Sequence, residues 1–249
     1  VITEAFRTLR SNLEFMHQVS NEKKIIAITS TISGEGKTFI AINLGGVLSM
    51  GGKRVILIDL DLRKPKVHLT FKSNNEHGLS TILIGKDHYK DCIIETEFEN
   101  FNIITSGPPP PNPAELANSE SFDRLLETLK EDYDIIIIDT PPIGIVSDAI
   151  FSFKRADLPI YVTRANYSKR NFINNINYIA EQKSIKNISI VLNAVEIMTS
   201  KYGYGYKGYG YSQYGYGYGY GYGFGYGYYS YGPEKEKKKK SILKVFEKE

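Results

Sequence analysis

Residues 135–138 are four consecutive isoleucines, bounded by Asp134 and Asp139. Such a run has no polar side to turn to water and is too short for a helix. As a strand it must be covered on both faces, which is the condition of a parallel sheet wrapped by helices. Similar apolar runs recur at 25–30, 55–59, 102–105, 159–162 and 188–192. Helical patterns fall between them, at about 38–49, 78–84, 120–130, 148–153 and 169–182. A Pro-rich stretch, 106–113, reads as a loop. Strands alternating with helices predict an α/β fold: a mostly parallel sheet with helices on both faces. Ahead of it, residues 2–17 read as an amphipathic helix. Ala5, Phe6, Leu9, Leu13 and Met16 share one face, and Glu4, Arg7, Arg10 and Glu14 the other.

The first strand runs into Ser30-Thr31-Ile32-Ser33-Gly34-Glu35-Gly36-Lys37-Thr38-Phe39, and a helix follows. Strand, small-residue loop, Gly-Lys-Thr and helix together form the context of a P-loop. Its small residues let successive backbone N–H groups turn toward phosphate oxygens, and the helix N-terminus adds positive potential. Ser33 to Phe39 are therefore the candidate nucleotide-binding residues. Lys37 reaches the β- and γ-phosphates and the Thr38 hydroxyl ligates Mg²⁺. The strict pattern has Gly five places before Gly36; Thr31 stands there instead.

Two acidic positions sit at strand ends. Asp59-Leu60-Asp61-Leu62-Arg63 closes the second strand, and Asp139-Thr140-Pro141-Pro142 closes the isoleucine strand, read as the fourth. Ligands of open α/β sheets collect at the carboxyl ends of strands. Carboxylates gathered there repel one another unless a cation joins them. Mg²⁺ held by few carboxylates plus phosphates and water meets that need. Asp59 and Asp139 are the candidate metal positions beside Thr38. A single Asp in such a place is also a common helix cap. Asn193 ends the last strand, where it could read a base edge or simply begin a turn. It is followed by Ala194, Val195 and Glu196, so a guanine-reading Asn-Lys-x-Asp is absent and ATP is favoured.

The last 49 residues differ in kind. Of 19 Tyr, 14 lie from Tyr202 to Tyr231, largely alternating with Gly. That composition predicts disorder or loose extension, since Gly at every second place weakens a strand. Lys237–Lys240 is a basic run, with Ile242, Leu243, Val245 and Phe246 behind it. The tail carries net +5, which leaves the first 200 residues at −2. No basic stripe survives in the body, which argues against a nucleic-acid partner. One cysteine, Cys92, excludes an internal disulfide framework and fits a reducing cytosol. No apolar run reaches the roughly 18–20 residues of a membrane span. The chain begins at Val1 rather than Met, so it reads as a soluble piece of something longer, in which a span could lie.

These residues resemble a bacterial tyrosine kinase of the kind tied to capsule and exopolysaccharide export. Gly36-Lys37-Thr38 resembles that family's Walker A motif, Asp59–Arg63 its Walker A′ and Asp139–Pro142 with Ile138 its Walker B. Glu4, Arg7 and Arg10 fit its Glu-x-x-Arg-x-x-Arg oligomerisation motif, and Pro110–Leu116 its Pro-rich loop. The tyrosine cluster resembles its autophosphorylated tail: Tyr202, Tyr204, Tyr206, Tyr209, Tyr211, Tyr214, Tyr216, Tyr218, Tyr220, Tyr222, Tyr226, Tyr228, Tyr229 and Tyr231. The resemblance implies four segments: an oligomerisation helix (1–20), a P-loop kinase domain (21–200), an autophosphorylation tail (201–232) and a basic-apolar ending (233–249).

It further implies an ATP- and Mg²⁺-dependent autokinase in which Lys37, Asp59, Asp61 and Asp139 are catalytic. Asp61 is the candidate for orienting or deprotonating the incoming Tyr hydroxyl. The implied partners are further copies in a ring, a membrane activator, a tyrosine phosphatase and the polysaccharide export machinery. The implied location is the cytoplasmic face of the plasma membrane. Two other readings stand beside it. MinD/ParA-type ATPases share the three Walker motifs, and the Lys237–Phe246 ending resembles MinD's membrane-binding helix, but their signature Lys is replaced here by Ile32. The last is a nucleotide-gated, non-enzymatic scaffold with an adhesive tail.

Overall fold

The computed structural model describes residues 2–16, 23–144, 148–182, 185 and 187–196. The expectations for the Tyr/Gly run and for the basic-apolar ending lie outside those residues. In chain order the elements are α1 (Ile2–Met16), β1 (Lys24–Ser30), α2 (Lys37–Met50), β2 (Val55–Asp59), α3 (Val67–Phe71) and α4 (Leu79–Leu83). A 3₁₀ turn at Tyr89–Cys92 leads to β3 (Ile93–Glu95), β4 (Phe101–Ile104), α5 (Pro113–Ala117), α6 (Glu120–Asp132) and β5 (Ile135–Asp139). The chain continues through α7 (Asp148–Arg155), β6 (Leu158–Arg164), α8 (Phe172–Gln182) and β7 (Ser189–Asn193).

Among the described residues the strands form one seven-stranded sheet in the order β3-β4-β2-β5-β1-β6-β7. Every pairing is parallel except β3 with β4. The expected architecture is therefore present, with an antiparallel edge added. The isoleucine strand is the fifth in the chain rather than the fourth, because β3 precedes it. All of β2 and β5 is buried, and in β1 only Lys24 is partly exposed.

Side chains alternate across the sheet. Ile25, Ala27, Ile56, Ile58, Ile136 and Ile138 join one core with residues of α4 to α8, including Leu79, Leu116, Phe122, Leu126, Phe153 and Ile176. Ile26, Ile28, Leu57 and Ile137 point the other way by that alternation, to the face where α2 contacts β1, β2, β4 and β5. A helix pressed between a sheet and a second helix must be apolar nearly all round. In α2 every residue but Phe39 and Met50 is buried. Its outer cover is α1, which sinks Phe6 and Leu13. Ala5, expected on that apolar face, is exposed instead.

Two adjacent glycines in α2 differ in what surrounds them. A Cβ on Gly45 would stand 2.6 Å from ring atoms of Phe101, which is fully buried on β4. A Cβ on Gly46 would meet nothing within 4 Å. Gly45→Ala is expected to cost about 1–3 kcal/mol through overpacking. Gly46→Ala is expected to gain up to about 1 kcal/mol from helix propensity. Urea denaturation of the two variants measures both, and equal signs would refute the packing of α2 on β4.

Candidate functional site

The loop between β1 and α2 is built on two left-handed glycines, Gly34 (φ +89°) and Gly36 (φ +99°). Side chains are strained there, and Gly36 has a second reason for lacking one. A Cβ would fall 2.1 Å from Asn193 Nδ2. Thr31, the departure from the strict motif, needs no such freedom. It is buried, and its hydroxyl is hydrogen-bonded to the buried Tyr161 hydroxyl at 2.7 Å.

Lys37 opens α2 and carries its ammonium to the carboxyl ends of β2 and β5. Lys37 Nζ donates to Asp61 Oδ2 at 3.2 Å and to Asp139 Oδ1 at 3.5 Å. The Thr38 hydroxyl donates to Asp139 Oδ2 at 2.5 Å. Asp59 and Asp139 are register partners across β2 and β5. Asp59 accepts backbone N–H groups from Asp61, Lys66 and Val67 at 3.1–3.2 Å. It thus holds the entry of α3, the capping role a lone Asp often has, while also facing the site. Lys37, Thr38, Asp59, Asp61 and Asp139 are all buried. The structure brings together Lys37, Asp59, Asp61 and Asp139, the charged residues expected at the strand ends.

Their electrostatics follow from burial. Desolvation, with the Asp139 charge adding to it, pushes the Asp59 carboxyl up to about 8. Burial raises Asp139 too, against the opposing pull of Lys37 and the Thr38 hydroxyl. Burial works against the Lys37 charge, but Asp139, Asp61 and Asp59 outweigh it and hold the ammonium above its usual range. A lysine ringed by Asp59, Asp61 and Asp139 leaves room for a further cation, which would favour the charged form of the buried carboxyls. Among the described residues no group of three or more His, Cys, Asp or Glu is placed to hold a metal on its own. A hard cation here would draw on the oxygens of Thr38 and Asp139 and take its remaining ligands from phosphates and water, the habit of Mg²⁺.

Sequence reasoning missed the support behind the loop. Tyr167 donates its hydroxyl to Ser33 O at 3.1 Å. Arg164 Nη1 donates to Gly34 O at 3.0 Å, its guanidinium 5.2 Å from the centre of the Tyr167 ring. Asn193 Nδ2 donates to Glu35 O at 3.0 Å. The buried Glu35 carboxylate accepts the Ile32 N–H at 2.8 Å and the Ser168 hydroxyl. Asn193, expected at a base edge or in a turn, here holds the phosphate loop. Phe39, grouped with the loop by sequence, packs edge-on against Phe6 of α1 with ring centres 5.8 Å apart.

The three charged residues of α1 divide. Glu4 and Arg7 are exposed and paired with each other at 3.3 Å. Arg10 folds back on its own chain, donating to Val47 O near the C-terminal end of α2 at 3.4 Å and pairing with Glu14 at 3.6 Å. Among the described residues no helix is long and apolar enough to cross a membrane.

Comparison with known proteins agrees with this geometry. The family model of the AAA domain matches residues 23–192. Tyrosine-protein kinase CpsD of Streptococcus agalactiae serotype III is 38% identical over 201 residues, spanning 80% of this chain and 85% of that protein. The kinase domain of Escherichia coli tyrosine kinase ETK superposes with a TM-score of 0.74 at 35% identity, covering 82% of this chain and 80% of that one. The cell division ATPase MinD of Pyrococcus furiosus is more distant, with a TM-score of 0.57 at 26% identity over 68% of this chain and 71% of its own. Both the likeness in sequence and the closer superposition fall on the kinase side of the P-loop fold, where Ile32 had already pointed, and the chain belongs to the bacterial tyrosine-protein kinase family.

Proposed function

We propose that this chain is an ATP- and Mg²⁺-dependent protein-tyrosine autokinase that phosphorylates the tyrosines from Tyr202 to Tyr231 of a neighbouring copy. We assign it to the synthesis or export of capsular or extracellular polysaccharide. P-loop membership implies nucleotide and Mg²⁺ binding; ATP is the finer reading. The observation that carries it is the buried group of Lys37, Thr38, Asp61 and Asp139 at the ends of two adjacent parallel strands. The names of the related proteins support the tyrosine acceptor.

Phosphoryl transfer asks mainly for positioning and charge neutralisation. The loop N–H groups and Lys37 hold the β- and γ-phosphates. Mg²⁺, when bound through Thr38 and Asp139 with Asp59 behind them, neutralises charge on the phosphate oxygens. An acceptor Tyr oxygen forms a bond to the γ-phosphorus, the bridging bond to the β-phosphate breaks, and ADP leaves. A free Tyr hydroxyl has a pKa near 10 and must give up its proton as the bond forms. Asp61 receives it. In the structure that carboxylate holds Lys37, and phosphates competing for the ammonium would free it.

Glu4 and Arg7 stand on the outer face of α1, available to a second copy, while Arg10 secures α1 to α2. We assign the first two to assembly of a ring, in which each tail enters a neighbour's site. A membrane activator, a phosphatase and the export machinery are the further partners of this reading, at the cytoplasmic face of the plasma membrane.

Lys37→Met is expected to abolish phosphotyrosine on purified protein incubated with ATP and Mg²⁺. Retention of near wild-type labelling by a folded variant would overturn the assignment. Asp61→Asn is expected to cut transfer about 10²-fold or more with ADP affinity little changed, whereas Asp139→Asn weakens Mg²⁺-dependent ADP binding. Calorimetry beside phosphotyrosine blotting separates the two roles, and equal loss of affinity in both variants would refute the division.

Glu4→Ala with Arg7→Ala is expected to lower the mass in light scattering and to reduce labelling of a Lys37→Met copy by an active one. Arg10→Ala is expected in addition to cost about 0.5–1 kcal/mol of stability, because it removes a cation from a helix C-terminus. An unchanged mass in the double variant would return Glu4 and Arg7 to an ordinary solvated face.

A further inference from the structure

Three successive carbonyls of the phosphate loop, those of Ser33, Gly34 and Glu35, each accept a hydrogen bond from a side chain of a distant segment. The donors are Tyr167 and Arg164 at the end of β6 and Asn193 at the end of β7. Ser168 ties the same turn to the loop through the Glu35 carboxylate, and its hydroxyl oxygen accepts the Arg164 N–H at 2.7 Å within the turn itself. A trans peptide is planar, so its C=O and the next N–H point in opposite directions. Holding these three carbonyls outward turns the N–H groups of Gly34, Glu35 and Gly36 to the opposite side.

We propose that Arg164, Tyr167 and Asn193 are positioning residues that brace the phosphate loop from behind. They touch no reacting atom; they fix the N–H groups that receive the phosphates. The need for them lies in the loop itself. Gly34 and Gly36 sit at positive φ, and glycine loses more freedom on ordering than any other residue. Without a brace, nucleotide binding would bear that ordering cost; with it, the cradle is set in advance. The inference rests on the proposed nucleotide site and adds residues lying more than a hundred positions from the motif. It also assigns Asn193 to the phosphates rather than to the base.

The test uses two probes on the full chain with Mg²⁺: ADP, which carries a base, and inorganic pyrophosphate, which does not. Tyr167→Phe and Asn193→Ala each delete one uncharged donor. Each is expected to weaken both probes by the same factor, about two- to tenfold, with an unchanged melting temperature. Arg164→Met is expected to do likewise, with Arg164→Lys, which keeps a donor, recovering part of the loss. Amide exchange at Gly34 to Gly36 is expected to quicken in the variants. Wild-type pyrophosphate affinity in Tyr167→Phe and Asn193→Ala would overturn the brace. Loss confined to ADP in Asn193→Ala would overturn its part and return that residue to the base. Failure of the unaltered chain to bind either probe would overturn the nucleotide site itself, and the brace with it.

Discussion

The ammonium of Lys37 is buried, and a buried charge is tolerated only when it is compensated. Its compensation comes from Asp61, after β2, and Asp139, at the end of β5, with the charge of Asp59 close enough to be felt. These carboxylates belong to two strands and one connecting segment. The charge balance therefore joins the first turn of α2 to the ends of two central strands. In the proposed reaction the stabilising contact and the phosphate-binding group are the same atom. A ligand that takes the ammonium must offer at least as much negative charge as the carboxylates it displaces, which is what a chain of phosphates offers.

The layers of the fold were legible because parallel strands buried on both faces are written as unbroken apolar runs. β1, β2, β5 and β6 lie where those runs fall, and their ends shift by a residue or two. β3 escaped notice because it has three residues, only partly covered, at the antiparallel edge. α3 and α5 have five residues each and lie in stretches rich in Lys or Pro, where so short a helical period does not stand out as it does in the apolar α4. Pro113 at the start of α5 was the available signal, since Pro suits the first position of a helix. Ala5 was assigned to the wrong side of α1 because the stripe was drawn wider than the strip that α2 covers.

At the site, charge and chemistry were legible in the residues but the backing was not. Asp59 and Asp139 end strands, Asp61 lies two residues beyond one, and Lys37 and Thr38 open the helix after β1, so their meeting follows from strand order and needs no long-range knowledge. Arg164 and Tyr167 act on backbone carbonyls, which are the same in every residue and leave no pattern to match, and Ser168 acts on the Glu35 carboxylate from more than a hundred residues away. Asn193 stands out by its place at a strand end, but its partner, the Glu35 carbonyl, is equally invisible in sequence. Thr31 looked like a defect in the motif. It is a packing choice, made because Tyr161 supplies a hydroxyl for it to bond.

The strand order has a consequence for the sequence of events in folding. β1 and β2 are close in the chain but are not neighbours in the sheet; β5 lies between them. They are joined only through β5, so their union must wait until the segment from Ile135 to Asp139 has been synthesised. Until then β1 has neither of its neighbours, β5 and β6, β2 has only β4, and Lys37 lacks the carboxylate of Asp139. Contacts of such long sequence separation slow folding and prolong the exposure of sticky strand edges. The central isoleucine strand is thus the piece that joins β1 to the β2–β4 pair, and with it the lysine to its carboxylates.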